Sequence, residues 1–178
     1  MTTAPVRGVQ RWALISLVIG SLLLILTALE IGLRLFGSQG ASYIQADDVL
    51  GYRYKPNAPY HVTANEGCPG WESEGQINSH GLRDYEYGYV KPEGTFRILA
   101  LGDSFTAGVE HPLEYIWPKI LEQRLNHRQD GLRYEVINGG RGAASTSYEY
   151  LYFTTEGYRY EPDLVFLLVI GNDILENS

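Results

Sequence analysis

The chain of 178 residues has one cysteine, Cys68, so no disulfide can close within it and no cysteine pair is there to hold zinc. Its four histidines, His61, His80, His111 and His127, lack the short spacings of a ligand pair, and no other pattern asks for a metal or a cofactor. Positive charge is scarce as well. Fourteen Lys and Arg stand against 21 Asp and Glu, a formal charge of −7, and the basic residues are scattered. The electrostatic footprint that a phosphate backbone requires is missing, which argues against nucleic acid as a partner.

Charge is wholly absent from Trp12 to Leu29, a run rich in Leu, Ile and Val that approaches the hydrocarbon thickness of a bilayer. The run predicts one transmembrane helix over 12–36, with Glu30 and Arg34 four residues apart near its far end, where they can pair or reach the interface. Arg7 and Arg11 precede the run, and Asp47 and Asp48 follow it. The positive-inside rule then places residues 1–11 in the cytoplasm and the remainder on the extracytoplasmic side, periplasmic or outer. A cleaved signal peptide is the rival reading, but the run is long for one and no Ala-x-Ala-like site closes it. The exported remainder, with 20 acidic and 11 basic residues, is not built to lie on anionic lipid.

Residues 37–95 mix Gly, Pro, Asn and Tyr in short alternation and read as an extended, turn-rich lead-in. Tyr85, Tyr87 and Tyr89 recur at period two, which would set three rings on one face of a strand, for packing rather than for sugar stacking. From residue 96 the pattern changes. Short apolar runs at 96–101, 134–137 and 164–170 have the length and β-branched content of strands. Between the first two, Pro118 suits the first turn of a helix that shows Ile120, Leu121 and Leu125 on one face. Between the last two, Thr146 and Glu149 have capping-box spacing and Gly157 suits a helix stop. This β-α-β-α-β order predicts an α/β fold with a parallel sheet of about three core strands and helices on both faces. The last strand, apolar throughout, reads as an interior one.

Strands of a parallel sheet all end on one side, where ligands bind. Gly102, Asp103 and Ser104 follow the first strand, Asn138, Gly139 and Gly140 the second, and Gly171, Asn172 and Asp173 the third. Each tip joins glycine, which lets backbone N–H groups approach a ligand, to a small polar residue that can attack or donate. One hydroxyl with several neutral donors is the inventory of an acyl-transfer site. A phosphate-cradling loop fits less well, because "GDSFTAG" lacks the lysine of a P-loop and the spacing of G-x-G-x-x-G.

"GDSFTAG" resembles the first block of the SGNH (GDSL-like) hydrolases, "NGG" the block that supplies their oxyanion-hole glycine, and "GND" the block that supplies their asparagine. The preceding "INSHGLRDYEYGYVKPEGTFRI" resembles the lead-in of membrane-anchored members, so the resemblance runs from about residue 77 to 176. It implies a flavodoxin-like sheet, with residues 96–178 as the N-terminal part of an SGNH-type hydrolase domain. It further implies that Ser104 is the nucleophile, and that its own N–H, the N–H of Gly140 and the amide of Asn172 form the oxyanion hole. Asp103 and Asp173 would be structural supports near the site. The third block is usually G-x-N-D, whereas Gly171 and Asn172 are adjacent here.

The resemblance also implies an ester substrate, an acylated carbohydrate or lipid of the cell envelope, and either hydrolysis or O-acyl transfer. The opposing expectation is a module that binds a glycan or a partner without catalysis. A serine hydroxyl needs a base, and the family's base is a histidine in a D-x-x-H block that this sequence does not contain. The sequence therefore predicts a truncated, inactive or degenerate relative, with His111 as the only histidine close to Ser104 along the chain.

Overall fold

The computed structural model describes residues 7–36, 43–63 and 72–171. The chain divides into two units, residues 1–40 and 41–178.

The first unit is helix α1, Arg7–Phe36. Within it, Arg11–Arg34 is a stretch of 24 residues with a mean hydropathy of 2.5. At 1.5 Å per residue it is about 36 Å long, enough to cross a hydrocarbon core of about 30 Å. Arg34 Nε donates to Glu30 Oε1 across 2.7 Å, the contact that an i, i+4 spacing allows.

In the second unit, two antiparallel hairpins occupy the turn-rich region. Strand β1 (Ile44–Asp47) pairs with β2 (Gly51–Tyr54), and β3 (Pro59–Thr63) pairs with β4 (Glu72–Gln76). The first turn is made by Asp47, whose carboxylate accepts the N–H groups of Val49 and Leu50 at 3.0 and 2.8 Å. Tyr85, Tyr87 and Tyr89 are not on a strand: this stretch is irregular, with Tyr85 exposed, Tyr87 buried and Tyr89 half-buried. Period two alone does not make a strand where no neighbour offers a hydrogen-bonding edge.

Strand β5 (Thr95–Leu101) is the middle of a parallel sheet, flanked by β6 (Arg133–Asn138) and β7 (Leu164–Leu167). Its alternate residues face opposite layers. Ile98 and Ala100, with Val136 of β6, pack against Trp117, Leu121 and Leu125 of helix α3 (Trp117–Asn126). Leu99 and Leu101, with Ile137, pack against Tyr148 and Tyr152 of helix α4 (Thr146–Thr155) and against Tyr160. Helices therefore cover both faces, and the strand order β6-β5-β7 is that of a doubly wound, flavodoxin-like sheet.

Two local expectations are corrected, the cap of α4 and the length of the last strand. The N-cap of α4 is Ser145, whose hydroxyl accepts the Tyr148 N–H at 3.3 Å, so Thr146 is already helical and Glu149 lies one position beyond a capping box. Helix α4 ends at Thr155 with Glu156 as its C-cap, so Gly157 stands just past the stop as expected, and it also opens a short 3₁₀ turn (Gly157–Tyr160), where a Cβ would stand 2.8 Å from Leu99 Cδ2. Strand β7 stops at Leu167 and not at Ile170, and the second neighbour that an interior strand wants is not among the described residues. Among these residues β7 pairs with β5 alone, and Leu164, Val165, Phe166 and Leu167 are all between 38% and 46% exposed.

Candidate active site

The chain turns sharply at the end of β5. A Cβ on Gly102 would lie 2.1 Å from Thr106 Oγ1, so only glycine lets the strand run directly into the one-turn helix α2 (Ser104–Ala107). Asp103 caps that turn. Its carboxylate accepts the Phe105 N–H at 3.0 Å, and its carbonyl accepts those of Thr106 and Ala107 at 3.1 and 2.9 Å. With the acid facing inward at 1% exposure, the next residue, Ser104, is half-buried. It lines a cavity of about 310 Å³ with Phe105, Gly108, Glu110 and His111.

The second tip packs onto the first. Gly139 N–H donates to Ala100 O at 2.8 Å and Arg141 N–H to Gly102 O at 3.0 Å. A Cβ on Gly140 would fall 2.3 Å from Ala107 N, which fixes glycine there and brings its backbone against the turn that carries Ser104. The Gly140 N–H donates to Asn138 Oδ1 at 3.1 Å. Asn138 itself does not offer an amide to a ligand: it is buried, and its Nδ2 donates to Arg83 O at 3.0 Å. The third strand closes in through Leu168, whose N–H donates to Leu101 O at 3.0 Å. Gly171 is exposed and has no atom within 4 Å of an added Cβ. Asn172 and Asp173 lie outside the described residues.

Beneath these tips is a layer of buried charge that sequence pattern did not reveal. Asn78 folds "NSHGLRD" into a tight turn, its Oδ1 accepting the N–H groups of His80 and Leu82 at 3.0 and 2.8 Å, with Gly81 at φ +76°. The turn sends Arg83 and Asp84 into the interior. Arg83 donates to Ala107 O at 3.1 Å, to the carbonyl of His111 and to the Tyr60 hydroxyl at 3.0 Å, and so ties the wall of the Ser104 cavity to strand β3. Asp84 accepts the Asn138 N–H at 2.6 Å and pairs with Lys119 Nζ at 2.6 Å. Burial pushes the Asp84 carboxyl up, and the Lys119 ammonium opposes that shift. The only sequence signal was an Arg-Asp pair after a Gly in the lead-in; charged pairs are usually solvent-facing, so it carried no weight.

The four histidines have distinct surroundings. His61 Nε2 meets Glu72 Oε1 at 2.6 Å, His80 packs between Tyr89 and Tyr160, His127 Nδ1 lies 2.6 Å from Gln123 O, and His111 is on the Ser104 cavity. Among the described residues, no three His, Cys, Asp or Glu side chains come together as a metal site.

Residues 98–178 match the family described as GDSL-like lipase/acylhydrolase. Over 78 residues the chain is 35% identical to an arylesterase of Vibrio mimicus, an alignment that covers 43% of this chain and 38% of that protein. The match thus spans well under half the length of that relative.

Proposed function

From the match of residues 98–178 to the GDSL-like lipase/acylhydrolase family we propose that the chain is part of a membrane-anchored ester hydrolase with Ser104 as nucleophile. The observation that carries this reading is the division of labour at the first tip. Asp103 is turned inward to cap α2, while Ser104 lines a cavity large enough for an acyl group and a small alcohol. Ser104 Oγ attacks the ester carbonyl carbon, its proton passes to a base, and the carbonyl oxygen becomes an oxyanion. The N–H groups of Ser104 and Gly140 and the amide of Asn172 would receive that oxyanion. The Gly140 N–H reaches it by sharing or releasing its bond to Asn138 Oδ1. When the tetrahedral intermediate collapses, the ester C–O bond breaks and the alcohol leaves with the proton; water then frees the acyl group by the same steps.

The substrate in this reading is an acylated glycan or lipid of the envelope, reached by a domain held outside the membrane through the helix over 12–36. The N-terminus is on the cytoplasmic side. Transfer of the acyl group to a sugar hydroxyl in place of water is the variant chemistry. His111 is the one histidine on the cavity, so turnover by this chain depends on it and is expected to be small. The test is hydrolysis of short-chain p-nitrophenyl esters by the purified full chain beside Ser104→Ala and His111→Ala. Slow turnover abolished by Ser104→Ala supports the reading, and turnover that survives it contradicts the reading. A folded chain with no turnover and no labelling of Ser104 by a fluorophosphonate favours the binding module.

A further inference from the structure

A second cavity, of about 150 Å³, lies apart from Ser104 and is lined by Asp47, Leu50, Arg53, Arg141, Tyr152 and Glu156, among others. Three of these side chains carry a buried polar atom without a hydrogen-bond partner: Arg53 Nε, Arg141 Nη1 and Tyr152 OH. Buried donors are almost always paired, and three unpaired ones along one cavity are a site short of acceptors. The carboxylates of the same lining are engaged elsewhere. Asp47 accepts two backbone N–H groups and stands 3.7 Å from Arg53 Nη1, while Glu156 accepts from the Tyr89 hydroxyl and from Arg159 Nη1 at 3.3 Å. Burial pushes the Tyr152 phenol well above its ordinary range, so it stays protonated and able to donate.

Two guanidinium groups face two carboxylates, which leaves the lining with no net charge and disfavours a dianion such as phosphate. A neutral polyhydroxyl compound meets both needs. Its oxygen lone pairs accept from Arg53, Arg141 and Tyr152, and its hydroxyl protons reach the spare lone pairs of Asp47 and Glu156. Leu50 and the exposed Val49 at the same cavity offer apolar surface to the C–H face of a sugar ring. We propose that this cavity binds a single neutral sugar ring, independently of any chemistry at Ser104.

The test is ligand-observed NMR on the full chain in a detergent without a sugar headgroup. Glucose, galactose, N-acetylglucosamine and N-acetylmannosamine are titrated, with sodium acetate and inorganic phosphate as anion arms. At least one sugar should bind in the millimolar range, and Tyr152→Phe and Arg53→Gln should each weaken it about fivefold or more. Tyr152→Phe removes only an unpartnered hydroxyl, so its thermal midpoint should stay near that of the wild type. No sugar binding by the folded wild type, binding unchanged in both variants, or binding of acetate or phosphate in place of the sugars would each overturn the proposal.

Discussion

Arg83 Nη1 donates to the carbonyl oxygen of Ala107 across 3.1 Å, joining a lead-in residue at 1% exposure to the last residue of the turn that carries Ser104. The same guanidinium holds the carbonyl of His111, so both ends of the loop beside the cavity hang on one side chain. Arg83→Met should leave the Ala107 carbonyl without its side-chain donor and the His111 carbonyl with the Ser73 hydroxyl at 3.0 Å in place of the guanidinium, cost about 2–4 kcal/mol, and slow covalent labelling of Ser104 about tenfold or more. Arg83→Lys should recover only part, because one ammonium cannot span the positions that a guanidinium fork reaches. Thermal unfolding and labelling rates, measured together, check both. Full-rate labelling in a destabilised Arg83→Met would show that the clamp holds the fold but not the site.

Gly140→Ala tests the contact between the first two strand tips. The added methyl would sit 2.3 Å from Ala107 N and 2.6 Å from Thr106 C, both backbone atoms, so the tips must separate. Loss of stability by about 1–3 kcal/mol and loss of Ser104 reactivity should appear together. Gly142→Ala, where no atom lies within 4 Å of the added Cβ, is the control and should be silent in both.

The buried pair of Asp84 and Lys119 makes a thermodynamic prediction. Lys119→Met leaves the Asp84 carboxylate buried without a cation and should cost about 3–5 kcal/mol, and Asp84→Asn, which leaves Lys119 only Glu122 at 3.3 Å as a counter-charge, should cost somewhat less. The double variant should cost clearly less than the two losses added, since neither member of the buried pair then remains charged and Glu122 keeps the Tyr87 hydroxyl and the Val136 N–H as donors. Denaturant midpoints of the four proteins close the cycle, and strict additivity would contradict direct coupling across 2.6 Å.

Much of this architecture was legible beforehand, and the reasons are specific. Leu99, Leu101 and Ile137 alternate with Ile98, Ala100 and Val136, and a strand buried on both faces writes that as one apolar run. Pro118 marked the start of α3 because its missing N–H is no loss in a first helical turn. Ser145 and Thr146 are not distinguishable as caps in the sequence, because two adjacent hydroxyl residues offer the same chemistry and only backbone angles tell cap from helix. Arg83, Asp84, Lys119, Arg97 and Glu135 cannot be recognised as buried from hydrophobic periodicity. Arg97 and Glu135 face each other on neighbouring strands at 2.6 Å, yet hydrophobic periodicity scores each as an interruption. At the site, the glycines could be read from their turns, but the role of Asn138 could not. Its amide serves Arg83 and Gly140, and that follows from a fold that brings residue 83 beneath residue 138.

Asp163 gives a pH dependence. Its hydrogen bond from Lys91 Nζ at 2.7 Å, together with one from the Arg97 N–H at 2.7 Å, holds its carboxyl below the usual carboxylate range. The folded pKa is lower than the unfolded one, so the unfolded chain takes up the proton first as pH falls. The stabilisation is complete above the unfolded value, about 3.9, and disappears as pH drops through the folded value. Asp163→Asn should therefore unfold at lower urea than the wild type at pH 7, and the gap should narrow below about pH 4. A gap of constant size from pH 7 to pH 3 would assign the effect to something other than the ionised carboxylate.

Covalent modification by a fluorophosphonate probes the nucleophile without needing a known substrate. The folded full chain is incubated with the reagent, its intact mass is measured, and the modified peptide is mapped. A single adduct on Ser104, missing in Ser104→Ala and formed about tenfold more slowly in Gly140→Ala, is the expected result. A chain that keeps its thermal transition but stays unmodified, or an adduct on any other residue, would contradict Ser104 as the reacting group.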